Sequence, residues 1–305
     1  AILVNSGNSN TFTGKQGEKC VETILSYLKK KLYCSKKEIY TASTGVIGEF
    51  LDPYLIINAL EKDVPTYTNS WSEAAKSIMT TDTFHKLVYE RCNIDNEQIN
   101  IIGIAKGSGM IAPNMATMLS FIFTDADIPS AFLKAILKKC VSTTFNSITV
   151  DGDTSTNDMV VIFSTGKVKN SKIYNVLDPK LKEFENALHK VMLNLSKQIV
   201  ADGEGAKKFI TVKVAQARSS SIAKRIGFSI ANSPLFKTAI AGEDPNWGRI
   251  IMAIGKAKIK IDIKKLSIKF GHHKIIEKGE LINNYQEDEV ASYMKSEKID
   301  ITIDL

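Results

Sequence analysis

Between Asp178 and Val200, the apolar residues Leu181, Phe184, Leu188, Val191, Met192, Leu195 and Ile199 recur every three or four positions, which lays them along one face of a long helix. Such a stripe has to be covered by another layer, and the chain ahead of it alternates strand and helix patterns. Strand-like runs fall at Ala1–Asn5, Glu38–Ala42, Gln98–Ile104, Met118–Phe123 and Met159–Ser164. Between them, Glu18–Leu32 spaces Val21, Ile24, Leu25 and Leu28 as a helix does, Trp71–Met79 reads as a second helix, and Pro129 opens a third that runs to about Cys140. This alternation predicts an α/β fold.

The texture changes from Phe209 onward. Across Lys256–Lys278, Ile259, Ile261, Ile263, Leu266, Ile268 and Phe270 are separated by Lys and Asp, the period-two pattern of strands with one wet face. With 305 residues and roughly 150 per domain, about two domains are expected. We divide the chain into a domain of residues 1–207 and a smaller C-terminal α/β domain of residues 208–305. The chain lacks an initiator Met and both ends fall inside strand-like runs, so a fragment or a processed chain is expected.

Composition excludes several classes. Lys and Arg exceed Asp and Glu by 40 − 33 = +7, yet the lysines are scattered over wet faces without interleaved aromatics, so no nucleic-acid partner is expected. No stretch approaches the roughly 20 apolar residues of a membrane helix, so no membrane partner is expected either. The four cysteines form no C-x-x-C pair, which supports neither a disulfide scaffold nor a Cys-based zinc site.

The obvious catalytic patterns fail. His189 lies in the amphipathic helix, His272 and His273 in a turn, and His85 is the one histidine near other polar candidates, so histidine-based nucleophilic catalysis has weak support. Gly7 to Gly14-Lys15 has the wrong spacing for a phosphate loop, with Gln16 where Ser or Thr is needed. The run Asp151–Asp158 starts like a calcium loop but has Thr156 at the glycine position and Ile162 at the glutamate position, which favours a tight turn tied by Asp and Thr side chains. The remaining candidate is Lys106-Gly-Ser-Gly leading to Pro113-Asn114, then Ala116 and Thr117 at the head of an apolar strand. If the Ala116–Thr117 bond is cut, the new α-amine of Thr117 can act as base for its own hydroxyl, with no histidine required. The bland alternative is a β-branched residue in a strand. An oxyanion hole would be needed as well, and Ser43-Thr44-Gly45-Val46-Ile47-Gly48 offers backbone N–H groups and a hydroxyl in a tight turn.

Val4–Asn8, Ala42–Glu49, Ile78–Thr83, Lys106–Leu119, Val150–Asp158, Asp202–Ala206 and Asn232–Leu235 through Gly242–Arg249 together resemble the ornithine acetyltransferase (ArgJ) family of arginine biosynthesis. The resemblance implies an αββα-like sandwich and an enzyme that cleaves itself between Ala116 and Thr117 into an α chain (1–116) and a β chain starting at Thr117. It implies acetyl transfer from N2-acetyl-L-ornithine to L-glutamate through an acetyl-Thr117 ester, with Thr44 and Gly45 as the oxyanion hole. Thr80, Lys106, Thr117 and Glu204 would contact substrate, Lys106 suiting a carboxylate and Glu204 an amino group; Thr81 competes with Thr80 by a one-residue slip. No metal and no cofactor are implied, although acetyl-CoA is admitted as a second acetyl donor. The implied assembly is a heterotetramer of two α and two β chains, in the cytoplasm or, for a eukaryotic source, the mitochondrial matrix. Family members usually carry further N- and C-terminal segments, the latter supplying an Asn and a Thr to the substrate, so incomplete processing of these 305 residues is expected. The rival readings are a self-processing aminopeptidase or amidase, with water as acceptor, and a non-catalytic binding protein on the same fold.

Overall fold

The computed structural model describes residues 1–62, 70–112, 118–154 and 156–305, which form two compact units: 1–148 with 153–204, and 149–152 with 205–305. In chain order the first unit contains β1 (Ile2–Asn8), α1 (Gly14–Leu32), β2 (Tyr40–Val46), α2 (Pro53–Lys62), α3 (Trp71–Ser77), β3 (Lys86–Ile94), β4 (Glu97–Lys106), β5 (Leu119–Thr124), α4 (Ser130–Thr143), β6 (Met159–Ser164) and α5 (Lys182–Ala201).

Two sheets face each other in this unit. β1 and β2 pair in parallel, and β3-β4-β5-β6 form a four-stranded sheet whose first two junctions are antiparallel and whose last is parallel. Alternation along β1 decides the layering. Leu3 packs with Cys20, Ile24 and Leu28 of α1, whereas Ile2 and Val4 turn the other way, onto Ile104, Leu119 and Phe121 of the larger sheet. On that sheet's far face, Gly103 allows α5 to come close: a Cβ there would stand 2.7 Å from Val191 and 2.8 Å from Leu195, part of the helix stripe legible in the sequence. The order is therefore helix, sheet, sheet, helix, an αββα sandwich.

The second unit contains β7 (Phe209–Ala215), α6 (Ser220–Ala231), α7 (Pro234–Ala241), α8 (Trp247–Lys256), β8 (Ser267–Phe270), β9 (His273–Glu277), β10 (Glu280–Leu281), α9 (Glu287–Met294) and β11 (Lys298–Asp304). Its sheet runs β10-β9-β8-β11-β7, and Ile268, Ile299 and Ile301 share one core with Ile226, Phe236, Ile254 and Met294 of the helices. The strand expected across Ile259–Ile263 is absent. Residues 258–262 pair with no strand, and Asp262 accepts a hydrogen bond from the Lys264 N–H to start a single 3-10 turn at Ile263–Lys265. Ile259 and Ile261 still pack on the core while Ile263 is 65% exposed. Alternation there records contact on one side of an extended segment, which does not require a hydrogen-bonded neighbour. Among the described residues, no helix is long and apolar enough to cross a membrane.

Candidate active site

A cavity of about 710 Å³ opens in the first unit where β1, β2 and β4 end. Thr44, Gly45, Thr80, Thr81, Lys106 and Glu204 all line it, together with Ser6, Gly7 and Asn157. Ala116 and Thr117 lie outside the described residues.

Gly45 is held by geometry. It pairs with Gly7 across the parallel β1/β2 ladder at φ +131°, and an added Cβ would overlap the carbonyl group of Gly7 and stand 2.7 Å from the Asn8 nitrogen. Only glycine combines that dihedral with that approach. Nearby, the Asn157 amide donates to Ser43 Oγ at 3.2 Å, bracing the strand end that carries Thr44.

Lys106 closes β4 and is 8% exposed. Its ammonium donates to Thr80 Oγ1 at 2.7 Å and to Thr44 Oγ1 at 3.2 Å, so it ties two of the candidate hydroxyls together. Burial pulls its pKa below the usual lysine value; Asp82, Glu204 and Asp158 oppose that pull and Lys86 adds to it. Thr80 and Thr81 both face the cavity, and Thr80 is the one bonded to Lys106.

Behind the cavity lies a buried ionic cluster that sequence reasoning missed. Lys86, fully buried, donates to Asp82 Oδ1 at 2.7 Å and to Asp202 Oδ2 at 2.6 Å. Asp82 also accepts from the Gly107 N–H at 2.7 Å and the Thr80 N–H at 3.1 Å. Burial works to raise the Asp82 pKa, but these donors and the charge of Lys86 hold it below the usual carboxylate value. Asp202 caps α5 and accepts from both the N–H and the hydroxyl of Thr83. Its carbonyl accepts from Ser108 Oγ at 2.6 Å, and the Glu204 N–H donates to the Ser108 carbonyl at 3.0 Å. A single network thus sets the backbone that carries Lys106 and the backbone that carries Glu204. Gly109 lets the Glu204 carboxylate sit against the main chain, since a Cβ there would come within 2.6 Å of it. The signal available was that Asp82 lies in the Ile78–Thr83 motif and Asp202 in the Asp202–Ala206 motif; Lys86 lies in none.

The histidines stand elsewhere. His85 Nε2 is 3.1 Å from Ser72 Oγ, His189 Nε2 is 3.1 Å from Thr143 Oγ1, and the rings of His272 and His273 meet at a tilt in the second unit. In the 151–158 run, Thr156 donates to Asn157 Oδ1 within the run, whereas Thr154 reaches the Ala112 carbonyl 42 residues away, a tie between distant segments rather than within a turn. Among the described residues, no group of three His, Cys, Asp or Glu side chains could hold a metal ion.

The profile of the ArgJ family matches residues 1–305. The chain belongs to the ArgJ family. It is 48% identical over 305 residues to the arginine biosynthesis bifunctional protein ArgJ of Bartonella henselae, covering 100% of this chain and 74% of that one. To the protein of the same name from Brucella suis it is 46% identical over 309 residues, covering 100% and 75%. The crystal structure of the arginine biosynthesis bifunctional protein argJ from Bacillus halodurans superposes with a TM-score of 0.59 at 40% identity, over 62% of this chain and 88% of that chain.

Proposed function

We propose that this chain, an acetyltransferase of arginine biosynthesis, moves an acetyl group from N2-acetyl-L-ornithine to L-glutamate through an ester on Thr117, after cutting itself between Ala116 and Thr117. The observation that carries the reading is the convergence of Thr44, Gly45, Thr80, Lys106 and Glu204 on one cavity. Lys106 pairs with Leu119 in the β4/β5 ladder, and Thr117 stands two residues ahead of Leu119.

In this reading the freed α-amine of Thr117 takes the hydroxyl proton as Oγ attacks the acetyl carbon of acetylornithine. The Thr44 hydroxyl and the Gly45 N–H stabilise the oxyanion, ornithine leaves with the proton, and acetyl-Thr117 remains. Glutamate then enters the same pocket, and its amine attacks the ester through the same oxyanion. Both acetyl carriers are α-amino acid derivatives, so one cation for the carboxylate (Lys106) and one carboxylate for an amino group (Glu204) serve both halves of the reaction. Acetyl-CoA is a second donor in this scheme. The α chain (1–116) and the β chain from Thr117 pair and double into a heterotetramer in the cytoplasm, with residues 1–207 as the catalytic domain and 208–305 as the smaller one.

Denaturing electrophoresis with mass spectrometry tests it. Wild type should give two fragments meeting at Ala116/Thr117, Thr117→Ala should stay whole, and ornithine release from acetylornithine should depend on glutamate. A wild-type chain that never splits, or release that ignores glutamate, would remove the proposal.

A further inference from the structure

Three successive residues at the end of β4 connect the cation of the cavity to its carboxylate. Gly107, at φ +147°, gives its N–H to Asp82 Oδ1 at 2.7 Å. Ser108 is buried and makes two bonds to the chain that follows α5: its Oγ donates to the Asp202 carbonyl at 2.6 Å, and its carbonyl accepts from the Glu204 N–H at 3.0 Å. Gly109 then passes so close to Glu204 that a Cβ there would stand 2.6 Å from the carboxyl carbon and from Oε1, and 2.7 Å from Oε2. Asp82 and Asp202, which receive Gly107 and Ser108, are themselves joined through Lys86.

Lys106 is held at the other end of this connection, bonded to Thr80 Oγ1 at 2.7 Å and to Thr44 Oγ1 at 3.2 Å. The cavity therefore presents one positive and one negative group at a separation that the backbone fixes. Such a pair measures any ligand that carries opposite charges at its two ends, because a ligand of the wrong length leaves one buried charge unmatched. N2-acetyl-L-ornithine is a ligand of that kind. Its α-amine is acylated, so its charges are the α-carboxylate and the ammonium at the end of the side chain.

We propose that Ser108 and Gly109 are positioning residues that set the length of the acetylated diamino acid the cavity accepts. Ser108 does so by fixing the Glu204 backbone to the end of β4, and Gly109 by seating the Glu204 carboxylate against the main chain. This rests on the donor reading above, with Lys106 on the α-carboxylate and Glu204 on the side-chain ammonium. Gly109 offers a clean way to disturb the spacing. It is not among the glycines with positive φ, and the atoms that a Cβ would meet are the far end of a flexible side chain. Alanine at this position therefore displaces the carboxylate and leaves the fold in place.

The test measures kcat/KM for N2-acetyl-L-ornithine and for its homologues with one methylene fewer and one more, with glutamate as acceptor. Wild type should favour the ornithine derivative over both by on the order of 10- to 200-fold, the usual worth of one methylene. Gly109→Ala should cut that preference about tenfold. Ser108→Ala keeps the carbonyl bond to Glu204 and should cut it about fivefold, the worth of one ordinary hydrogen bond. A general loss of folding or of chemistry lowers all three donors together and leaves their ratios alone. Unmoved ratios in Gly109→Ala, or a wild type indifferent to donor length, would overturn the inference and leave the acetyl-transfer reading standing; a wild type that takes no acetyl group from acetylornithine would remove both. Should Ser108→Ala fail to fold, Gly109→Ala decides alone.

Discussion

Lys106 Nζ stands 3.8 Å from Asp82 Oδ2 but only 2.7 Å from Thr80 Oγ1, so the cavity's cation leans on a hydroxyl while its nearest carboxylate is held by other donors. Asp82 spends its lone pairs on Lys86, Gly107 and Thr80, which leaves the Lys106 charge available to a ligand.

Lys106→Met should lower kcat/KM roughly 10- to 100-fold, as expected for losing about 1.5–3 kcal/mol of hydrogen bonding by a charged group. Because burial lowers the pKa of Lys106, ammonium-dependent binding should fade with rising pH earlier than for an ordinary lysine. Lys106→Arg should push whatever alkaline limb it retains to higher pH, since a guanidinium stays charged. Initial-rate profiles of the three proteins between pH 6 and 10 check both statements.

Replacing Gly45 by alanine should cost about 3 kcal/mol or more, because strain at positive φ adds to overlap with the Gly7 carbonyl. Gly48 also has positive φ, at 83°, but an added Cβ there meets nothing within 4 Å. Gly48→Ala should therefore lose only about 1–2 kcal/mol. Thermal unfolding of the two variants separates collision from dihedral strain.

Lys86→Met leaves two carboxylates facing each other without their shared cation and should destabilise the first unit by about 3–5 kcal/mol in urea titrations. Adding Asp202→Asn should recover part of that loss, since one uncompensated charge is removed. The same cluster sets an acid limit. The folded Asp82 pKa lies below its unfolded value of about 3.9, so the stabilisation it brings is complete above that value and drains away as pH falls through the lowered one.

Asp158 carries the opposite sign. Its pKa is raised in the fold to about 7, so the folded chain binds that proton more tightly than the unfolded chain, and the penalty grows as pH rises from about 4 to 7. In the uncleaved Thr117→Ala background, Asp158→Asn should raise Tm at pH 8 and lose that advantage by about pH 4. A pH-independent difference in calorimetry would show that the carboxyl is not held as an acid.

Much of this was legible in the chain itself. The stripe from Phe184 to Ile199 became the buried face of α5, with Leu181 buried in the 3-10 turn just before it, because a helix with one apolar side has to be covered. The motifs at Thr44-Gly45, Thr80-Thr81, Lys106 and Glu204 are local strings, and local strings are what a family preserves in readable form. The structure alone decided what those strings meet. Lys86 and Asp202 are 116 residues apart and bond at 2.6 Å, a pairing to which no spacing rule applies. The alternation at Ile259–Ile263 reads like that of β8, yet only β8 has a hydrogen-bonded neighbour, because pairing is a property of the partner strand. Asp158 in sequence is one more acid in a polar turn. Its burial exists only once β5 and β6 lie side by side and shut out water, since the cost of a charge is fixed by what surrounds it in space.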